Sequence, residues 1–301
     1  MLLGKMMRRL IRMITFGLIS STAVAAGAYW LNRYLRPRHS PLELNGAVAV
    51  IAEADSPLGQ ALARALAQRG LRLALAGRDP DLLLGLRLAV DPYAADVLII
   101  TADYRTDVGR ATIIDTVVKH YQQIGLLIMG VGHITNALQG ELPSAIALTR
   151  RALPMMRAHN SGAIIYMMSL AGQLAMPGLT DYAAATHGLS GFAAALRHEL
   201  AGTRVTVSTV VAGWQQDATT PEMAQRWLAR MNWPLVTADD IAAAMIGGLL
   251  NRQDEIFVGS MVDRVLAWVG HHLPLLLALY WRAVNSPEWL AVAWELTGDT
   301  T

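Results

Sequence analysis

From Gly46 onward the chain alternates short, unbroken apolar runs with longer segments whose apolar residues recur at helical spacing. Gly46–Ala52, Leu71–Ala76, Asp96–Thr101, Leu126–Val131, Ala163–Met168 and Val205–Val211 read as strands, and Glu255–Gly259 as a last short one. Strands that are apolar at consecutive positions are expected where both faces of a sheet are covered. Leu58–Arg69, Val108–Gln123, Ser144–Ala158, Tyr182–Ala201 and Ala238–Leu250 read as helices. Strand–helix alternation argues βαβ units, right-handed crossovers and a parallel sheet, so the predicted class is α/β. No internal repeat is visible.

The pattern changes at both ends. Met13–Leu31 carries no charge over nineteen residues, and at ~1.5 Å per residue it spans roughly 28 Å, close to the ~30 Å hydrocarbon core of a bilayer. Lys5, Arg8, Arg9 and Arg12 precede it; Arg33, Arg36 and Arg38 follow, with Tyr29, Trp30 and Tyr34 where an aromatic belt would lie. Residues 1–35 are therefore expected to form a basic segment and transmembrane anchor. The rival reading is a cleaved signal peptide with Ala23-Val24-Ala25 at its small-residue site; the aromatic and basic cluster beyond the apolar run favours retention. Four basic residues on one side against three on the other leave the orientation undecided. Residues 36–45, with Pro37 and Pro41, read as a linker, 46–260 as the α/β domain, and 261–301 as an apolar tail. Within that tail Val265–Trp281 lacks formal charge and is interrupted by His271, His272 and Pro274. It suits either a segment lying in a membrane interface or a helix packing on the domain or a partner.

Composition narrows the chemistry. The chain has 301 residues, ample for a large core. Charged residues make up 16%, below the usual ~25%, which argues against disorder. There is no cysteine, which excludes disulfides, thiol nucleophiles and cysteine-ligated zinc or iron–sulfur centres. A net charge of +2 gives no indication of a nucleic-acid groove. The only lysines are Lys5 and Lys119.

Several motifs occur in a telling order. Gly46 to Asp79 reads strand, tight turn, helix, strand, ending Ala76-Gly77-Arg78-Asp79; Ser169 follows, then Pro177-Gly178, then Tyr182 thirteen residues after the serine, then Leu196-Arg197-His198-Glu199-Leu200. Together these resemble the short-chain dehydrogenase/reductase family, over about Gly46 to Gly259. The resemblance implies a Rossmann-type, doubly wound parallel sheet that binds NAD or NADP and transfers a hydride to or from a carbonyl or alcohol. In that family a tyrosine is the acid/base, a serine polarises the substrate oxygen, a lysine lowers the tyrosine pKa, and an asparagine supports a proton relay. Function still has to be argued from the site.

Four departures weaken that expectation. The family's Thr-Gly-x-x-x-Gly-x-Gly turn matches Ala52-Glu53-Ala54-Asp55-Ser56-Pro57-Leu58-Gly59, where only Gly59 survives. Glycines there let the backbone approach a diphosphate; Pro57 removes a donor, and Glu53 and Asp55 add negative charge, while Ser56 or Asp55 also suits a cap on the following helix with Pro57 in its first turn. At ~4 Å and an effective dielectric of ~20, each like-charge contact costs about 4 kcal/mol before relaxation. The family's Asn-Asn-Ala-Gly becomes Met129-Gly130-Val131-Gly132, keeping only the permissive Gly132. The segment from Gly132 to Ser144 is short, and the relay asparagine falls near Glu141, so none is carried over; Asn136 is nearby but out of place. Most important, Tyr-x-x-x-Lys becomes Tyr182-Ala183-Ala184-Ala185-Thr186. Residues four apart share a helix face, and without a cation there the phenol is left near its intrinsic pKa of ~10, unsuited to acid/base work.

Other positions persist. Arg78 stands where NADP-preferring members keep an arginine, Asp103 where members keep an aspartate near the adenine, and Ser169 and Tyr182 keep their spacing. Cofactor contacts are therefore expected at Gly59, Arg78, Asp103 and Gly132, and catalytic ones at Ser169 and Tyr182, with NADP binding weak or absent. The expected function is a membrane-anchored, catalytically degenerate member acting as a binding, scaffold or accessory subunit. Its expected partners are membrane lipid and a membrane-protein complex, and its expected place is a bacterial-type inner membrane with the domain on the cytoplasmic face. The alternative is an NADP(H)-dependent oxidoreductase acting on a hydrophobic carbonyl or alcohol; a dinucleotide sensor without turnover is a third.

Overall fold

The structure is a computed structural model that describes residues 46–130, 137–215, 222–230, 232–284 and 287–297. The candidate anchor Met13–Leu31, the linker to Asn45, Gly132 and Asn136 lie outside the described residues. Among the described residues no helix is long and apolar enough to cross a membrane.

Seven strands form one parallel sheet. They are β1 (Val48–Ile51), β2 (Arg72–Gly77), β3 (Asp96–Thr101), β4 (Leu126–Gly130), β5 (Gly162–Ser169), β6 (Val205–Ala212) and β7 (Glu255–Val258), in the order β3-β2-β1-β4-β5-β6-β7. The order reverses between β1 and β4, the point at which doubly wound sheets open a crevice beyond their carboxyl ends. Two helical layers cover the faces. In β5, Ile164, Tyr166 and Met168 pack toward α3 (Asp107–Tyr121), α4 (Leu142–Ala158) and α6 (Thr180–Glu199). The intervening Ala163, Ile165 and Met167 pack toward α1 (Pro57–Ala67), α2 (Pro80–Val90) and α8 (Ala238–Leu250). Because side chains alternate across a strand, a strand buried on both sides has to be largely apolar, and where β6 buries Ser208 and Thr209 their hydroxyls bond the Gln253 and Asp254 carbonyls.

Three helices have no counterpart in the sequence reading. These are α2, the single turn α5 (Leu170–Gln173) and α7 (Glu222–Arg230). In α2 the leucine run hides the period, since Leu83, Leu86 and Val90 are buried while Leu82, Leu84 and Leu88 face solvent. Its start signal was nevertheless present: Asp79 accepts hydrogen bonds from the Asp81 and Leu82 N–H groups, with Pro80 in the first turn.

The tail folds into α9 (Met261–His272), α10 (Pro274–Val284) and α11 (Pro287–Thr297). Part of it belongs to the core. Trp281 Nε1 donates to the Leu174 carbonyl at 3.2 Å, and Trp289 Nε1 to the Pro177 carbonyl at 2.9 Å. Trp289 is fully buried against Trp214 and Trp227, with ring centroids 6.2 and 4.7 Å away. Gly178, at φ +81°, lets Ala293 close on this loop, because a Cβ at 178 would come within 2.6 Å of the Ala293 methyl. Substituting Trp289→Ala removes a buried indole from this contact and is expected to cost about 3–5 kcal/mol. Denaturant unfolding of the full chain checks this; an unchanged midpoint would mean the tail is not part of the folded unit.

Candidate active site

The carboxyl ends of the central strands gather the residues that the resemblance singled out. In the β1–α1 turn, Ser56 caps α1: its Oγ accepts from the Gly59 N–H at 3.0 Å and donates to the Glu53 carbonyl at 2.8 Å. Gly59 is required there, since a Cβ would lie 2.0 Å from the Glu53 carbonyl oxygen. Its role in this turn is close backbone packing. The helix N-terminus, ordinarily a ready anion site, is closed by the chain's own serine and by Pro57.

Asp55 reaches across to β2. Its Oδ2 accepts from the backbone N–H groups of Arg78 at 2.7 Å and Asp79 at 3.1 Å. Gly77 admits this carboxylate, because a Cβ there would stand 2.6 Å from the Asp55 Cγ. The two turns are thereby stitched together along one wall of an open groove of about 730 Å³, lined by Glu53, Asp55, Pro57, Arg78 and Asp79 among others. Arg78 is exposed on this groove.

Glu53 is compensated, which the sequence reading did not anticipate. Arg105, just past β3, pairs with it and also donates to Glu141 Oε1 at 3.2 Å. Asp103 Oδ1 accepts from the Arg105 backbone N–H at 2.9 Å and lies 3.8 Å from its guanidinium. Asp103 is thus a turn-former committed to Arg105. The guanidinium also sits 5.5 Å from the ring centre of Tyr104, whose hydroxyl donates to the Gly130 carbonyl at 3.0 Å. Arg105 therefore joins three elements: the β1 turn, the β3 turn and a one-turn π-helix, Ala137–Glu141, that leads into α4. Such π-turns are rare and cluster at functional sites. Arg105 and Tyr104 were missed by sequence reasoning; the available signal was the acidic Glu53 itself, which demands a cation.

Ser169 and Tyr182 do come together. The phenol of Tyr182, 1% exposed, hydrogen-bonds Ser169. Burial pushes its pKa above the ordinary tyrosine value, the negative charge of Glu141 pushes it further, and only the Ser169 hydrogen bond opposes them. Thr186 is fully buried, and its hydroxyl donates to the carbonyls of Tyr182 and Ala183, both at 3.0 Å. Gly172 of α5 lies so close that a Cβ on it would come within 2.3 Å of the Thr186 Oγ1. The space beside Thr186 is therefore filled by backbone. One strand over, Ala212 pairs with Ser169, and Trp214 follows with its indole N–H buried and lacking any acceptor among the described residues.

Removing one partner of a buried ion pair leaves the other uncompensated. Arg105→Ala is expected to destabilise the fold by about 3–5 kcal/mol, whereas the double variant Arg105→Met with Glu141→Leu recovers most of that loss. Thermal and urea unfolding of the two variants check this, and equal losses in both would show that Arg105 does not serve Glu141.

Comparison with known proteins agrees with this arrangement of strands. The family model described as short chain dehydrogenase matches residues 47–227. The chain is 23% identical to "Dehydrogenase/reductase SDR family protein 7-like" of Anopheles gambiae over 266 residues, covering 80% of this chain and 83% of that protein. It is 27% identical to a 3-oxoacyl-[acyl-carrier-protein] reductase of Bos taurus, over 59% of this chain and 79% of that one. A short-chain dehydrogenase/reductase from Burkholderia phymatum, solved in complex with NAD, superposes with a TM-score of 0.67 at 21% identity, covering 78% of this chain and 96% of that one. With the strand order, the Ser169–Tyr182 hydrogen bond and a family match over most of the α/β domain in hand, the chain belongs to the short-chain dehydrogenase/reductase family.

Proposed function

We propose that this protein is a membrane-anchored, catalytically degenerate member of its family that serves as a binding, scaffold or accessory subunit at a membrane. The family fold, and the solved neighbour that holds NAD, make a nicotinamide dinucleotide the coenzyme to test. The residues present do not fit one. Asp55 already takes the two N–H groups at the end of β2, Ser56 and Pro57 close the start of α1, and Arg105 is engaged with Glu53, Asp103 and Glu141. This self-filled groove is the observation that carries the reading, since a diphosphate entering it meets carboxylates where the family fold would offer free donors.

The acid/base position argues the same way. An effective proton-transfer group has a pKa near the working pH, and every influence on Tyr182 except Ser169 moves it the other way. Thr186 is neutral and buried. The uncharged stretch Met13–Leu31 and its basic and aromatic flanks support tethering to a membrane. We place the domain on the cytoplasmic face of a bacterial-type inner membrane, with a membrane-protein complex as its setting.

Two observations favour the alternative, an NADP(H)-dependent oxidoreductase on a hydrophobic carbonyl or alcohol. The Ser169–Tyr182 hydrogen bond is intact, and the unsatisfied Trp214 indole beyond β6 offers a buried donor to an acceptor oxygen.

The two readings part on one experiment. Calorimetric titration of the detergent-solubilised full chain with NADH and NADPH is expected to give no saturable binding up to millimolar cofactor. Reduction of long-chain ketones is expected to stay at the buffer rate in both the parent and Tyr182→Phe. Saturable binding with Tyr182-dependent turnover would establish the alternative; binding without turnover would indicate a sensor. For placement, protease added to intact spheroplasts is expected to leave the domain uncut, and digestion from the periplasmic side would reverse the orientation.

A further inference from the structure

The structure divides the tail into a core-facing side and a solvent-facing side, and the second has a consistent composition. In α9, Met261 is 73% exposed, and Val262, Val265 and Trp268 are exposed with it. At about 100° per residue these four and Val269 fall within an arc of about 120°. Asp263, Leu266 and Gly270 lie on the opposite side, with Asp263 fully buried and Leu266 packed against the core. The next helix repeats the layout. Leu275 is 72% exposed, Leu276 and Leu279 are exposed, and Leu277 and Trp281 point into the core. Trp268 stacks on His272 with centroids 4.7 Å apart. Scattered exposed leucines need no explanation, but an exposed apolar face on each of two consecutive helices does.

Along α9 and α10 themselves the exposed charges are of one sign. Between Gly259 and Ser286 the only carboxylate is Asp263. It is withdrawn from the surface, with Oδ2 accepting from the Ser260 N–H and hydroxyl, both at 2.9 Å, and Oδ1 from the Trp233 indole at 2.9 Å. Arg264 and Arg282 are exposed. An apolar stripe bearing a tryptophan, on helices that carry exposed arginines and no exposed acid, is complementary to an anionic lipid surface.

We infer that the outer face of α9 and α10 docks on the anionic headgroup layer of a bilayer, as a second attachment beside the N-terminal span. The inference rests on the proposed membrane tether. Asn32–Asn45 is a connection of fourteen residues in the sequence, so once the span is inserted, docking of the domain on the same bilayer is an intramolecular event at raised effective concentration. At such an effective concentration a shallow apolar face suffices for docking that would be weak for a free domain.

The absence of cysteine makes a direct test simple. Single substitutions Val265→Cys and Leu276→Cys, with Leu88→Cys on α2 as control, are spin-labelled in the full chain and reconstituted into phosphatidylcholine vesicles with and without phosphatidylglycerol. With the anionic lipid, collisions with oxygen are expected to exceed those with a water-soluble nickel chelate at 265 and 276, and the reverse at 88. Replacing Arg264 and Arg282 by Gln is expected to lower the lipid-facing fraction about fivefold per arginine, as ~1 kcal/mol per surface charge implies. Chain that floats with the vesicles while the labels at 265 and 276 remain open to nickel would overturn the docking and leave the tether intact. Chain that fails to float would overturn both. Labels closed to both reagents, or dipolar broadening between copies, would assign the face to protein and overturn the lipid assignment.

Discussion

The site is organised by the need to neutralise Glu141. A carboxylate that is 1% exposed cannot stay ionised without a cation or donors at hand, and Arg105 supplies the charge. That one guanidinium also engages Glu53 and Asp103, so the β1 turn, the β3 turn and the entrance to α4 are fixed relative to one another. Buried pairs of this kind are weak sources of net stability and strong determinants of geometry. The turns that border the crevice at the switch point of the sheet are consequently held in place by the protein's own ion pairs.

The architecture could be read from the chain because burial dictates it directly. Strands covered on both faces must be largely apolar, and helices between them must carry one apolar side, so β3 and α8 fall at the residues the pattern assigns them. The Leu-rich α2 escaped because a helix with leucines on every side has no visible period, and α5 because a single turn has none either. Ser169 and Tyr182 were recognisable from spacing, and their hydrogen bond follows from their shared position at the end of β5 and the start of α6. Arg105 was not, because its importance depends on partners 52 and 36 residues away in sequence. Glu53 and Asp55 were read as bare charges facing a ligand. In the fold each is satisfied internally, Glu53 by a side chain and Asp55 by backbone.

The tail serves the same end of the molecule. Trp281 and Trp289 donate to carbonyls of the loop that joins Ser169 to Tyr182, so the C-terminal helices brace the segment that fixes the spacing of that pair. Their inner side stabilises the site while their outer side faces away from the core.

Gly172 resting on Thr186 has a consequence for what either position will accept. Any side chain at 172 would run into the threonine, and a longer one at 186 would have to turn away from the point where α5 and α6 touch. Such a contact works as a latch: the helix that carries Tyr182 and the single turn after Ser169 keep their separation only while both residues stay small.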